Sequence, residues 1–413
     1  MPDEIIAGLD IGSASIRIVV GQLSKTQENE QLNIIGVIEV PSQGISKGSI
    51  VSIEDAVASI STALEKTERM IGLELKRVCV GVGGIHVNSQ ESNGIIAISR
   101  TNGEIQDEDI ERVIDAAKSV SAVVNNEVLH VIPKSFAVDN QTGVKDPVGM
   151  TAIRLEVTTQ VIRGLASHIK HLTTSVYRTG LDISDIVVSM LAASEAVLTV
   201  RQKELGVALV DIGADTTNII VFEEGDVIHA AVLRIGANHI TSDLALGLQS
   251  SIDVAERIKV EHGRASLEKI SKEEEINLRE LGGEDQTFTQ KYITDIITAR
   301  VEEIFEKVDD ELKKINRAGL LPAGLVLVGG GAKLDGMVEV AKKKTLLPVT
   351  IGAVQRFNTA IDKVNDVTFV NALGLVLWGY RSMDQKSKGS GNIIKNIKGF
   401  AEEAQKWFKS LIQ

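Results

Sequence analysis

Cysteine is nearly absent from this sequence. The single residue, Cys79, stands in the apolar run Val78-Cys79-Val80. One thiol cannot close a disulfide within the chain, and an apolar setting suits a small buried core residue, so neither thiol chemistry nor a zinc site is expected, and a reducing compartment is. Long apolar runs are missing too: nowhere do roughly 18 consecutive apolar residues occur, the length that marks a membrane-crossing helix. Met1-Pro2-Asp3-Glu4 leads into a strand without the basic and apolar regions of an export signal, so the chain reads as neither exported nor membrane-spanning. Positive charge is in deficit, with 44 Lys and Arg against 56 Asp and Glu, a net charge of −12 and a pI near 5.2. Neutralising a phosphate backbone needs a basic face, so nucleic acid is excluded as a general partner and any bound anion must be held locally.

What is present is a soluble, globular pattern: 413 residues, 43% hydrophobic, with alternating strand and helix signals and room for more than one core. The stretch Val207-Ala208-Leu209-Val210-Asp211-Ile212-Gly213-Ala214-Asp215-Thr216-Thr217-Asn218 is a buried strand that ends at a charged turn and resumes as a second strand. Such a hairpin delivers a carboxylate to a cleft, with Gly213 free of ordinary backbone limits and Thr216 and Thr217 supplying hydroxyl and N–H groups for an anion. Taken alone it also describes an ordinary hairpin. A second copy runs from Ile5 to Val20, with Asp10-Ile11-Gly12-Ser13-Ala14-Ser15 at its turn, about 200 residues upstream. A third glycine turn, Gly329-Gly330-Gly331-Ala332-Lys333, follows an apolar strand and opens a helix, where three glycines allow a backbone to approach a flat ligand.

Between these motifs the periodicity predicts a third strand at 32–40, a helix at 56–71 behind the capping sequence Ser52-Ile53-Glu54-Asp55, and a buried strand at 78–82. The texture changes at Gly83-Gly84, and residues 83–162 read as an inserted α+β subdomain. Helices are expected at 164–180, 192–201, 252–262, 292–316 and 337–343, strands at 183–188 and 349–351, and an apolar closing helix at 371–378. Residues 264–290 are charged and read mostly as solvated surface. The resulting division is a first half at 1–82 and 163–200, the insert at 83–162, a second half at 201–245 and 318–380, an outer subdomain at 246–317, a flexible linker at 381–391 and a tail helix at 392–413. In the tail, Ile397, Phe400, Trp407, Phe408 and Leu411 share an apolar face while Lys398, Lys406 and Lys409 lie on the polar one. That pattern, isolated by a linker, fits an interfacial anchor on an anionic lipid leaflet; a helix docked on its own domain or on a partner groove is the alternative.

With these motifs in place, the chain resembles the actin-like ATPase superfamily and, within it, the FtsA family of bacterial cell-division proteins, over nearly its whole length. The two Asp-Ile-Gly loops, the Gly329 to Gly336 turn and Ala255-Glu256-Arg257-Ile258-Lys259-Val260-Glu261-His262-Gly263 are similar to the family's phosphate, adenosine and nucleoside segments. Leu129 to Asp139 and Gly143 to Met150 are similar to its inserted subdomain. The resemblance implies an α/β actin-like ATPase fold of two duplicated halves, an inserted subdomain and a C-terminal amphipathic helix. It implies ATP and Mg²⁺ between the halves, with Asp10 and Asp211 holding the metal mostly through waters. Gly12, Ser13, Ser15, Gly213, Thr216 and Thr217 would take the phosphates; Gly329, Gly330, Gly331 and Lys333, with Glu256 and Lys259, would take the nucleoside. A Glu and a Lys three apart on a helix are also simply a surface ion pair.

The resemblance further implies a peripheral protein on the cytoplasmic face of the membrane at the division site. It would tether the tubulin-like FtsZ through that protein's C-terminal tail at Arg300 and Glu303, self-associate into filaments and recruit later division proteins. The second loop departs from the usual Asp-Ile-Gly-Gly-Gly-Thr-Thr-Asp in having Ala214, Asp215 and Asn218, which adds a negative charge near the phosphates. The inter-half connection, Val188 to Ser194, carries no Glu or Gln to position an attacking water, so slow or negligible hydrolysis is expected. A pilus-assembly adaptor of the PilM type shares the fold and insert but normally lacks the linker and tail helix. A small-molecule kinase of the same superfamily needs a catalytic base for which the sequence offers no convincing candidate.

Overall fold

The structure is a computed structural model that describes residues 4–25, 30–121, 123–266, 274–354, 357, 359 and 361–388. The first half opens with strand β1 (Glu4–Ile11), β2 (Ser15–Lys25) and β3 (Glu30–Pro41), then a small hairpin of β4 (Ile45–Ser46) and β5 (Ser49–Ile50). Helix α1 (Ile53–Ile71) starts where its capping sequence predicts: Ser52 accepts from the Asp55 amide, and Gly72 closes the helix at φ 71°. Ala56, Ile60, Ala63 and Thr67 form its buried stripe, and β6 (Arg77–Val82) follows.

The insert comprises β7 (Asn88–Ala97), α2 (Asp107–Val120), β8 (Asn126–Val138), β9 (Gln141–Val144) and β10 (Arg154–Leu165), paired in the order β7-β10-β8-β9. It has its own core around Ile105, Val113, Leu155, Val157 and Val161. The chain then returns through α3 (Ala166–Tyr177), β11 (Asp182–Val188), α4 (Ser189–Val197) and α5 (Val200–Leu205).

The second half repeats the first: β12 (Val207–Ile212), β13 (Thr217–Glu223) and β14 (Asp226–Leu233) form an antiparallel meander. An outer group follows, α6 (Ala237–Gly247), α7 (Ile252–His262), β15 (Glu275–Asn277), β16 (Thr287–Thr289) and α8 (Gln290–Lys314). Helix α8 begins two residues before the apolar pattern predicts because Thr289 caps it, accepting from the Tyr292 amide at 3.2 Å. Then come β17 (Leu325–Val328), α9 (Met337–Thr345), β18 (Val349–Ile351) and α10 (Val370–Lys388). The two large sheets have the same topology, β11-β6-β1-β2-β3 and β18-β17-β12-β13-β14. In each, the central strand has an antiparallel hairpin partner on one side and a parallel strand on the other.

Three arrangements differ from the division expected from sequence. Helix α10, placed with the second half by order, packs on the first: Gly374 lies so close to α4 that a Cβ there would sit 2.0 Å from the Ala192 carbonyl, and Gly8 of β1 faces Ala372 in the same way. Only glycine permits such approaches. The expected linker from 381 is still α10 to Lys388, since residues 381–388 contain neither Gly nor Pro and Gly389 follows. Arg381 pairs there with buried Glu195, which also holds Lys203 at 2.5 Å. Burial opposes ionisation of Glu195, but the two cations outweigh it and bring its pKa down to about 2. Lastly, the insert leans on the second half. Ser89 donates to the Ala230 carbonyl at 2.6 Å and accepts from its amide at 3.2 Å, and Lys145 pairs with buried Asp226, so the edge strand β14 is covered. The expected tail helix, with Ile397, Lys398, Phe400, Lys406, Trp407, Phe408, Lys409 and Leu411, lies outside the described residues.

Candidate nucleotide cleft between the halves

Each central strand ends in a buried aspartate, Asp10 on β1 and Asp211 on β12, 6% and 5% exposed. The turns that follow are built alike: the Gly12 amide donates to the Ser15 carbonyl at 3.1 Å and the Gly213 amide to the Thr216 carbonyl at 2.9 Å. The two carboxyls come close enough for the charge on one to disfavour the charge on the other. Burial, and then Asp211, push Asp10 up to about 6 against the pull of Arg17, 3.8 Å away, and of a hydrogen bond from Asn371. Burial likewise raises Asp211, opposed by the amides of Asn371 and Asn218, which donate to its Oδ2 at 3.1 and 3.2 Å. Asn371, at the head of α10, therefore joins both carboxylates.

The hydroxyls divide into two groups. Ser13 accepts from the Gly48 amide at 3.0 Å and Thr216 lies at the second turn. Ser15 and Thr217 were expected to take phosphates, but both are committed to the frame. Ser15 donates to Glu39 at 2.8 Å and receives Arg17 at 2.8 Å, while Thr217, fully buried, donates to the Ile235 carbonyl at 2.8 Å. Side chains at the start of a strand alternate faces, so the hydroxyl next to the turn need not share the side of the cleft.

The third turn closes the site. Gly329, at φ 85°, stands where a Cβ would fall 2.3 Å from Asp211 Oδ1, and a Cβ on Gly331 would fall 2.4 Å from Ile212. At Gly330 a Cβ would find nothing nearer than 4.0 Å, so this glycine borders open space. Lys333 pairs with Asp366 at 2.8 Å; burial works against Asp366, but Lys333 and Thr368 outweigh it and keep its carboxyl below the ordinary value. Glu256 and Lys259 on α7 meet at 2.6 Å and share the Thr241 hydroxyl of α6, so the pair ties two helices together. The end of α7 reaches the third turn, where the Ala265 amide donates to the Asp335 carbonyl at 2.7 Å.

Arg300 and Glu303 lie apart from this cleft on α8. The Arg300 guanidinium is held by both oxygens of Asp243 on α6, at 2.6 and 2.9 Å, and touches Glu303, which also meets Lys307 at 3.5 Å. Arg17, Asp243 and Asn371 stand outside the site expected from the motifs, whereas Asn218 is the loop departure that donates to Asp211. Asn371 alone carried a signal, a polar side chain heading an apolar helix.

Two halves of one topology, closing on paired aspartates and a glycine turn, define the actin-like ATPase fold. Solved structures agree on the fold. The chain is similar to the one described as "PilM-PilN type IV pilus biogenesis complex" (TM-score 0.66, 15% identity, 91% of this chain and 98% of that one). It is also similar to MreB5 of Spiroplasma citri bound to ADP (0.55, 12%, 94% and 99%). Sequence comparison narrows the class. The profile of the family described as "Cell division protein FtsA" matches residues 208–374, and that of the "SHS2 domain inserted in FTSA" matches 84–163, the inserted sheet. The FtsA of Bacillus subtilis is 38% identical over 92% of this chain and 84% of its own length. That of Pseudomonas aeruginosa is 34% identical over 91% and 89%, and that of Escherichia coli 30% identical over 98% of both. The chain belongs to the FtsA family of bacterial cell-division proteins.

Proposed function

We propose that the cleft binds ATP with Mg²⁺ and that the protein tethers FtsZ filaments to the cytoplasmic membrane at the division site. The observation that carries the nucleotide reading is the meeting of Asp10 and Asp211. Two buried carboxyls, each raised by burial, call for a compensating cation beyond Arg17. The donor set suits Mg²⁺: all oxygen, with the Oδ1 atoms of Asn218 and Asn371 buried and without a hydrogen-bond partner among the described atoms. Asp10 and Asp211 would hold the ion's waters, Ser13, Thr216 and the loop amides the phosphates, and Gly330 the face of the base. Bound Mg²⁺ supplies charge neutralisation for the phosphates; the protein's own part is to hold both carboxylates ionised and in place.

Hydrolysis is slow in this reading. Ser189, not a Glu or Gln, heads α4 beside Gly81 and Asp10, and Glu195 further along is locked to Lys203 and Arg381. The tail from 392 to 413 binds anionic lipid, self-association builds filaments, and later division proteins are recruited to the assembly. The FtsZ tail docks on α8 beside Arg300 and Glu303, where both oxygens of Asp243 hold the Arg300 side chain in place.

The partner assignment is tested by fluorescence anisotropy of a labelled FtsZ C-terminal peptide titrated with the full-length protein and with Arg300→Glu. Saturable binding weakened about tenfold or more by the charge reversal is expected. Equal affinity for both proteins would remove α8 as the docking site, and no binding by the folded wild type would remove FtsZ.

A further inference from the structure

The second loop meets the first half through a residue that the phosphate-binding geometry does not require. Asp215 accepts two hydrogen bonds: at Oδ1 from Asn238 of α6, 2.8 Å away, and at Oδ2 from the backbone amide of Lys47, 2.9 Å away. Lys47 and Gly48 form the two-residue turn of the β4–β5 hairpin, with φ 51° and 71°, the left-handed pair that a tight hairpin needs. Successive amides of such a turn point to one side and make an anion-binding concavity. Here the Lys47 amide is taken by Asp215 of the second half, and the Gly48 amide by Ser13 of the first phosphate loop, at 3.0 Å. One turn thus links both phosphate loops. It also rests on the root of the insert: the Ile85 amide donates to the Lys47 carbonyl at 3.3 Å, and a Cβ on Gly48 would fall 2.5 Å from Gly84 Cα.

We propose that Asp215 is a latch that discriminates by the terminal phosphate, fastening the Lys47–Gly48 turn across the cleft and yielding to a nucleoside triphosphate more readily than the triphosphate is tolerated beside it. This rests on the nucleotide reading above. A carboxylate in this loop lies beside the phosphates that Ser13 and Thr216 would hold, so each added phosphate charge works against it. The diphosphate leaves the latch fastened; the triphosphate competes with Asp215 for the turn's amides. Because the turn sits on Gly84 and Ile85, its release is passed to the insert.

The test uses the full-length protein with Asp215→Asn and Asp215→Ala, hydrogen exchange of residues 45–50 without nucleotide, and titrations with Mg-ATP and Mg-ADP. Asn keeps an oxygen acceptor but not the charge; Ala removes both. Expected for Asp215→Ala is exchange at the Lys47 amide faster by about tenfold or more. Asp215→Asn should leave that exchange within about twofold while shifting the ATP-to-ADP affinity ratio about fivefold toward ATP. Unchanged Lys47 exchange in Asp215→Ala overturns the latch. Nucleotide binding with an unchanged ratio in both variants overturns the discrimination and leaves the nucleotide reading standing. A wild type that binds neither nucleotide overturns both, whereas a variant that loses all protection across the segment is judged by Asp215→Asn alone.

Discussion

The two phosphate hairpins share a backbone and differ in charge. Asp10 faces Arg17 across its hairpin and Asp211 faces Asn218 at the same register. In the first half a guanidinium, itself anchored by Glu39 at 2.6 Å, is the cross-strand partner of the carboxylate; in the second half that partner is a neutral amide, while Asn371 serves both acids and Arg17 acts on Asp211 only through its charge. The duplicated fold therefore fixes where the two acids stand, and the cross-strand residue sets how each is held. The second site depends more on a cation from outside, and it is the one that the third glycine turn covers.

The largest effect should come from removing the less compensated acid. Asp211→Asn is expected to weaken Mg-ATP binding about 100-fold, about 2.8 kcal/mol, by calorimetry, with little change when the metal is chelated. An equal loss with and without metal would mean that Asp211 shapes the loop and does not hold an ion.

Next comes a pH effect. Asp10 has its folded pKa raised to about 6 from an ordinary 3.8, so between these values the native state binds more protons than the unfolded state. Its contribution to stability accordingly falls as pH rises through that window and is constant above it. Asp10→Asn does not titrate, so the stability of the variant relative to wild type should rise between pH 4 and 7 by on the order of 2–3 kcal/mol without nucleotide. Denaturant unfolding at several pH values measures it, and a pH-independent difference would show that Asp10 ionises freely.

The smallest effect compares the hairpins directly. Arg17→Asn gives the first hairpin the second one's partner, and should lower stability by about 1–2 kcal/mol near pH 7 and move the Asp10 carboxyl further upward. Carbon-13 NMR titration of the aspartate carboxyls follows the shift; no movement would mean that the 3.8 Å contact carries little of the pairing.

Legibility followed the same contrast. Asp10, Gly12, Asp211, Gly213 and the triple glycine were readable because a strand, a tight turn and a second strand are specified by a few consecutive residues. The insert was readable from the break at Gly83-Gly84. The present partners of Ser15 and Thr217 were not readable, since which way a hydroxyl turns is decided by the groups waiting for it, Glu39 and Ile235. The end of α10 was misread because a charged, serine-containing stretch looked like a linker while its helix ran on to Lys388.

The sequence by itself determined the duplicated strand–turn–strand units, the acids at their tips and the glycine of the third turn, Gly329, at a φ of 85° that other residues resist, all of which depend on neighbours along the chain. Only the tertiary structure decided what meets at the cleft. Asn371 reaches Asp211 from 160 residues away, and Lys47 reaches Asp215 from 168. It also decided that α10 lies on β1 and that the insert covers β14. The physical reason is that these contacts follow from packing the sheets and helices of the described residues into shared cores, and packing joins residues by shape and burial regardless of their distance in sequence.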